Sequence, residues 1–348
     1  MRVKVLSVST ASGVNLDPFF HILLNTSYFN TSYINTLAMK VAQIDGYGSS
    51  EVVMSNPDAP VPSLSTGKVL VGIKAAGVNP ADWKIREGYM QQWLPLQFPL
   101  TLGMDFSGIV KEVSTPSDFK QGDEVYGQAG VINGGSGAFA EMALASSESI
   151  ANKPKSLNHD EAAALPLVGN CAWQALIENM GLSENQKILI HGGAGGIGSI
   201  AIQLAKYLGA DVATTTSTND SKFVQGLGAD LVIDYKTQVF DDLIHGYDAV
   251  FDTVGGETYT RSFRVLKKGG IIVSMLEQPS SELMIKYGVR AVFQFTQANR
   301  ERLIKLAEWV DQNNIRVNIE KRFSLDEAGK ALDYQRDVHP RGKVVLMI

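Results

Sequence analysis

The residues best placed for chemistry are Gly193, Ala194, Gly195, Gly196, Ile197 and Gly198, which match G-x-G-x-x-G. They follow the apolar run KILIH and open the run IGSIAIQLAKYLG, whose apolar spacing is helical. Between a strand and a helix, such a turn lets the backbone approach a pyrophosphate and offers it the free amides of the helix start. In this context the motif predicts a dinucleotide site. An acid about 20 residues on from the first glycine would mark a ribose 2′-hydroxyl and hence NAD. The chain instead has Thr214, Thr215, Thr216 and Ser217 there, so no carboxylate repels a 2′-phosphate. Lys222 follows and Tyr235 ends the next strand, placing a cation and a phenol within reach of such a phosphate. Thr216, Ser217, Lys222 and Tyr235 together point to NADPH. Asp220 points the other way, as a loop acid able to reach a ribose.

Other chemistries are disfavoured by what the chain lacks. A single cysteine, Cys171, forbids an internal disulfide and removes thiolate-built metal sites. A reducing, cytoplasmic setting is therefore expected. The five histidines show no metal-ligand spacing, so no metal is expected. A net charge of −5 gives no general attraction to nucleic acid or an anionic membrane. No apolar run reaches the roughly 18 residues that a membrane span needs.

The elements that must position these residues are legible in the apolar rhythm. With 348 residues, 45% of them hydrophobic, the chain exceeds one ordinary domain and can fill two cores. From residue 39 short strands alternate with Gly and Pro turns, as in KVLVGIKAAGVNP, where Val69, Val71 and Ile73 give the two-residue period of a half-buried strand. After His159 strands alternate with helices. The run HDEAAALPLVGNCAWQALIENM reads as helix, and six apolar strands follow, beginning with KILIH. That number suits a doubly wound parallel sheet, so the fold class is α/β. Arg300 to Asn313 reads as one long amphipathic helix, and Ser324 with Glu327 as a helix start. The closing strand in RGKVVLMI has no place in the nucleotide sheet and is expected to return to the N-terminal β domain. Residues 1–38, rich in Ser, Thr and Asn with a single acid, read as a flexible N-terminal extension. The expected division is then 39–160 with 296–348 as a catalytic domain and 161–295 as the nucleotide domain.

From residue 39 onward the chain resembles the medium-chain dehydrogenase/reductase superfamily, in its quinone oxidoreductase-like branch. The resemblance is carried by GVNPADWKIREG (77–88), PLTLGMDFSGIVKEV (99–113), GDEVYG (122–127), LPLVGNCAWQAL (165–176), GGAGGIG (192–198), FDTVGG (251–256) and RGKVVL (341–346). It implies a doubly wound parallel Rossmann sheet plus a mostly β, GroES-like catalytic domain completed by the C-terminus, and commonly a homodimer. Zinc-dependent members carry His-Glu where this chain has Met104-Asp105, so the resemblance implies a zinc-independent member. It places Asn79, and the segment Asn170-Cys171, near the nicotinamide, with Val254 and Lys343 among further candidates for contact.

Without a metal, the natural hydride acceptor is a conjugated carbonyl, whose oxygen takes the developing charge. Lys84, in the wall that the resemblance assigns to the pocket, is a candidate to hold that oxygen as an ammonium donor. Quinone reductases of the branch more often have an aromatic residue there, which favours enones and enals. Tyr126, after a strand in GDEVYG, is a candidate edge of the substrate cleft. The expected activity is therefore NADPH-dependent reduction of a quinone or of the C=C bond of an α,β-unsaturated carbonyl, acting on a small molecule. The alternative is a non-catalytic NADPH-binding sensor or structural protein of the same fold.

Overall fold

The computed structural model describes residues 38–348, so the reading of residues 1–37 lies outside the described residues. Six parallel strands form one sheet in the order Leu231–Asp234, Asp211–Thr216, Lys187–His191, Tyr247–Asp252, Leu266–Ser274 and Arg290–Phe293. Numbered from Lys187–His191, this is the order 3-2-1-4-5-6 of a doubly wound dinucleotide sheet. Its central strand carries Ile188, Leu189 and Ile190, all fully buried, because helices cover both faces. The crevice at such a sheet opens beyond the carboxyl ends of the strands on either side of the order reversal. There His191 leads into the glycine turn and Asp252 into the loop bearing Val254.

The β region forms a seven-stranded sheet in the path Ile319–Ser324, Lys343–Met347, Lys68–Val78, Asp105–Val113, Glu124–Gln128 and Ile150–Asn152, with Met142–Ser146 also paired to Lys68–Val78. The closing strand runs antiparallel to Lys68–Val78, with Val344 opposite Val78. This puts Lys343 beside the end of that strand, where Asn79 follows.

Lys68–Val78 is buried on both faces rather than half-buried. Val69, Val71 and Ile73 enter one core, and a register shift between Ile73 and Ala75 flips the alternation, so that Ala76 and Val78 enter the same core. Ala75 turns to the other core, which it shares with Tyr126, Val168 and Ile188. A strand between two cores has little solvent face to alternate against, and within it only Lys74 is exposed.

Arg300–Asn313 is one helix, started by Asn299, whose side chain accepts from the Arg302 amide at 3.2 Å. It buries Leu303, Leu306, Trp309 and Val310 on a single face. The run expected as continuous helix from His159 divides into His159–Ala163 and Pro166–Trp173, then widens to a π-helical stretch, Gln174–Asn179. Pro166 cannot donate the hydrogen bond that continuation needs. Asn179, at the π-helical end, donates to Gln294 Oε1 at 2.8 Å, and Gln294 in turn donates to the Cys171 carbonyl at 3.0 Å.

Candidate dinucleotide and substrate site

The glycine turn is closed by Gly195 N–H donating to the Gly192 carbonyl at 3.0 Å, and the helix Gly196–Tyr207 starts from it. Its glycines are required for different reasons. A Cβ on Gly193 would fall 2.0 Å from Thr214 Oγ1, and one on Gly198 would fall 2.3 Å from the Gly192 carbonyl oxygen. Those two are fixed by packing against the next strand and by the turn itself. A Cβ on Gly195 would meet nothing nearer than 3.4 Å, so the protein leaves the space above it clear. That clearance beside unpaired helix-start amides fits a pyrophosphate. Val254, half exposed, borders the turn, its Cγ2 lying 3.6 Å from where a Gly192 Cβ would stand.

From the other side the turn meets the C-terminal segment. Gly342 N–H donates to the Ala194 carbonyl at 2.8 Å, and Gly342 pairs with Gly195 in a parallel bridge. The next residue, Lys343, passes its stem by Gly196, where a Cβ would stand 3.0 Å from Lys343 Cδ. Its ammonium donates to the Val78 carbonyl at 2.8 Å and to Asn79 Oδ1. Asn79 is completely buried; its Oδ1 is taken by Lys343, and its Nδ2, which makes no close hydrogen bond, acts on the neighbouring Asp105 carboxylate.

Two carboxylates complete this buried cluster. Asp82 accepts from Asn79 N–H at 2.8 Å through Oδ2, while its Oδ1 has no partner. Asp105 accepts from Gln128 Nε2 at 2.7 Å and from Leu167 N–H at 3.0 Å. All three charged groups are nearly or wholly inaccessible. Burial pushes the Asp82 carboxyl up to about 7, with like-charged Asp105 adding to the rise. Burial also raises Asp105, opposed by Lys343, and depresses Lys343, opposed by both acids. Two acids share one ammonium, so the cluster favours holding a proton.

At the end of the second strand a pocket of about 550 Å³ opens, lined by Ser217, Asp220, Phe223, Glu320, His339 and Arg341 among others. Thr214 and Thr215 spend their hydroxyls inside the fold, on the Ile190 carbonyl and the His191 ring, so Ser217 presents the hydroxyl at this pocket. Thr216 is buried and its carbonyl accepts the Tyr235 N–H at 3.2 Å; the Tyr235 side chain is exposed, and neither residue lines the pocket. Lys222 is exposed and lies outside the pocket lining. The cation at the pocket is Arg341, which comes from the far end of the chain and stacks its guanidinium 5.4 Å from the Phe223 ring centre.

Tyr126 does not edge a cleft. Its side chain is fully buried and its hydroxyl donates to the Leu303 carbonyl at 2.6 Å, because this side of its strand is covered by the helix Arg300–Asn313. Burial accordingly raises the phenol's pKa. Lys84, on the helix Pro80–Arg86, is half-buried with its ammonium 5.6 Å from the Trp83 ring centre, and is not a partner of the Asn79 and Lys343 pair. Asn170 donates to the Pro166 carbonyl at 2.7 Å and leaves its buried Oδ1 without a partner. Cys171 is buried, and its thiol is pushed up to about 12 by that burial, so it is no thiolate nucleophile near neutrality. His191 bridges Thr215 Oγ1 and Ser262 Oγ at 3.0 and 2.9 Å, and burial lowers its pKa to about 4, keeping it neutral.

Asp82, Asp105 and Arg341 are the functional candidates that sequence reasoning missed. Each stands inside or beside a segment already singled out, NPADWK, GMDFSG and RGKVVL. The available signal was polar residues flanking the motif rather than the motif itself. For zinc, the residues present do not fit. Among the described residues no three His, Cys, Asp or Glu side chains gather to hold a metal ion. Asp105 already spends both oxygens, and Met104 beside it is a soft, buried thioether. Nor is any described helix long and apolar enough to cross a membrane.

A doubly wound sheet whose glycine turn is met by a buried Asn–Lys pair from a β domain defines a dinucleotide-dependent oxidoreductase. The comparisons give the family. Residues 65–155 match the alcohol dehydrogenase GroES-like domain, and residues 227–346 match the model described as zinc-binding dehydrogenase. The chain is 36% identical over 318 residues to a 2-methylene-furan-3-one reductase of Solanum lycopersicum, covering 88% of this chain and 79% of that one. It is 32% identical to an NADPH-dependent alkenal/one oxidoreductase, chloroplastic, of Arabidopsis thaliana, with the same coverage of 88% and 79%. A solved quinone oxidoreductase from Coxiella burnetii matches with TM-score 0.81 and 33% identity over 90% of this chain and all of that one. The chain belongs to the medium-chain dehydrogenase/reductase superfamily, in its quinone oxidoreductase-like branch, and is an enzyme of that type.

Proposed function

We propose that the chain is an NADPH-dependent reductase that works without zinc and delivers hydride to a quinone or to the C=C bond of an α,β-unsaturated carbonyl. The observation that carries this reading is the end of the second strand, where Ser217 and Arg341 stand at an open pocket and no acid ends the strand itself. A guanidinium with a hydroxyl suits a phosphate monoester better than a ribose hydroxyl. Support also comes from the name of the Arabidopsis relative, which is NADPH-dependent and acts on alkenals and alkenones.

When bound, the nicotinamide supplies the hydride. The amides at the start of the helix Gly196–Tyr207 would hold the pyrophosphate, and Ser217 with Arg341 the 2′-phosphate. Lys343 orients Asn79 by occupying its oxygen, which leaves Nδ2, drawn also to the Asp105 carboxylate, as the donor that a carbonyl oxygen would have to use. Lys84 is the proposed cation for the substrate oxygen as charge develops on it. Metal-stripped protein given NADPH and a panel of quinones, enones and enals should consume NADPH and yield the hydroquinone or the saturated carbonyl. Absence of turnover across the panel, or turnover only after zinc is added, overturns the reading.

A further inference from the structure

The two donors that face the pocket at the end of the second strand are already held by one side chain. Asp220 Oδ1 accepts from Arg341 Nε at 2.7 Å and lies 2.6 Å from Arg341 Nη2, while Asp220 Oδ2 accepts from Ser217 Oγ at 2.9 Å. Asp220 thus places a carboxylate where both the guanidinium and the hydroxyl converge. A phosphate carrying about −1.5 to −2 charges needs the same donors and is repelled by that carboxylate. The pocket offers it little compensation, since Glu320, a second acid, lines the same wall and accepts from the Arg341 amide.

We propose that Asp220 sets how strongly the chain prefers NADPH over NADH, because a 2′-phosphate must displace this carboxylate from Arg341 and Ser217 while a 2′-hydroxyl need not. The inference rests on the NADPH reading above and deepens it. Asp220 acts as an internal competitor for the phosphate. The pair is only partly shielded, with the Arg341 and Asp220 side chains 42% and 23% exposed, so the effect is moderate and sensitive to salt.

The test is equilibrium titration of the full chain with NADPH and with NADH, before and after Asp220→Asn, at low and high salt. Asp220→Asn should tighten NADPH about 3- to 10-fold and change NADH by less than about twofold. The gain should shrink as salt screens the site. Asp220→Glu, which keeps the charge, should bind NADPH within about twofold of the parent, and melting curves should show all variants folded. If the parent chain binds NADPH and Asp220→Asn leaves the ratio of the two affinities unchanged, the inference falls while the cofactor reading stands. Weakened NADH binding in Asp220→Asn also overturns it, by making Asp220 a ribose acceptor. If the parent chain does not bind NADPH at all, both fall.

Discussion

The ammonium of Lys343 and the amide oxygen of Asn79, 264 residues apart in sequence, are bonded to each other where solvent does not reach. The bond ties the C-terminal strand to the residue that opens the helix Pro80–Arg86, and it does so directly beneath the glycine turn. Lys343 is also a cation that acts on both Asp82 and Asp105.

Lys343→Met should therefore leave two buried acids without a counter-charge. Breaking a buried pair in this way costs about 3–5 kcal/mol. Urea unfolding at neutral pH is expected to show that loss, and adding Asp82→Asn to the same chain should recover part of it by removing one of the stranded charges. A Lys343→Met protein as stable as its parent would show that the cluster is neutral without the lysine.

Asp82 gives a pH dependence of definite sign. Its folded-state pKa, about 7, lies above the ordinary value of 3.8, so the folded chain holds a proton that the unfolded chain releases. The resulting stability is fully present below about pH 4 and is lost as pH rises through 7, with a span of about 4 kcal/mol. Urea midpoints for the parent and for Asp82→Asn, measured from pH 5 to 8, should converge at the high end less than at the low end. Parallel curves would show that Asp82 does not titrate in that window.

Tyr126 should matter to stability and not to turnover. Tyr126→Phe removes a second donor to the Leu303 carbonyl, which keeps its partner within the helix, so the loss is that of one ordinary hydrogen bond, about 0.5–1.5 kcal/mol. Unfolding midpoints should fall while kcat and KM for an enone stay at parental values. A changed KM would return Tyr126 to the substrate cleft.

Much of the fold was legible because it is periodic. The six strands and the helix Arg300–Asn313 repeat their apolar residues at spacings that survive without knowledge of any neighbour. The glycine turn was legible for the same local reason. What was not legible depends on pairs far apart. Tyr126 sits on a strand whose covered side is set by a helix 177 residues later, so its direction could not be read from GDEVYG. Lys222 was the nearest cation in sequence to the second strand, yet Arg341, 121 residues beyond Asp220, is the one at the pocket. Asp82 reads as an ordinary acid in a first helical turn until Asp105 and Lys343 close around it. The break at Pro166 had a local signal, whereas the π-helical widening after it had none.

The two central glycines separate folding from ligand approach. Gly193→Ala puts a methyl 2.0 Å from Thr214 Oγ1, so the turn must move and both stability and NADPH binding should drop. Gly195→Ala is different. Its backbone has φ −72°, open to any residue, and its added carbon would meet only the Gly192 carbonyl oxygen at 3.4 Å. Melting temperature should stay within a degree or two of the parent, since the roughly 0.4–1 kcal/mol gained by stiffening the unfolded chain is offset by the loss of glycine's preference at this helix N-cap. NADPH affinity should nevertheless fall at least about tenfold, because the methyl fills the space a pyrophosphate would use. Calorimetric titration beside a thermal melt reads both quantities on one preparation. Undiminished NADPH binding in a folded Gly195→Ala protein would mean that the dinucleotide does not lie over this turn.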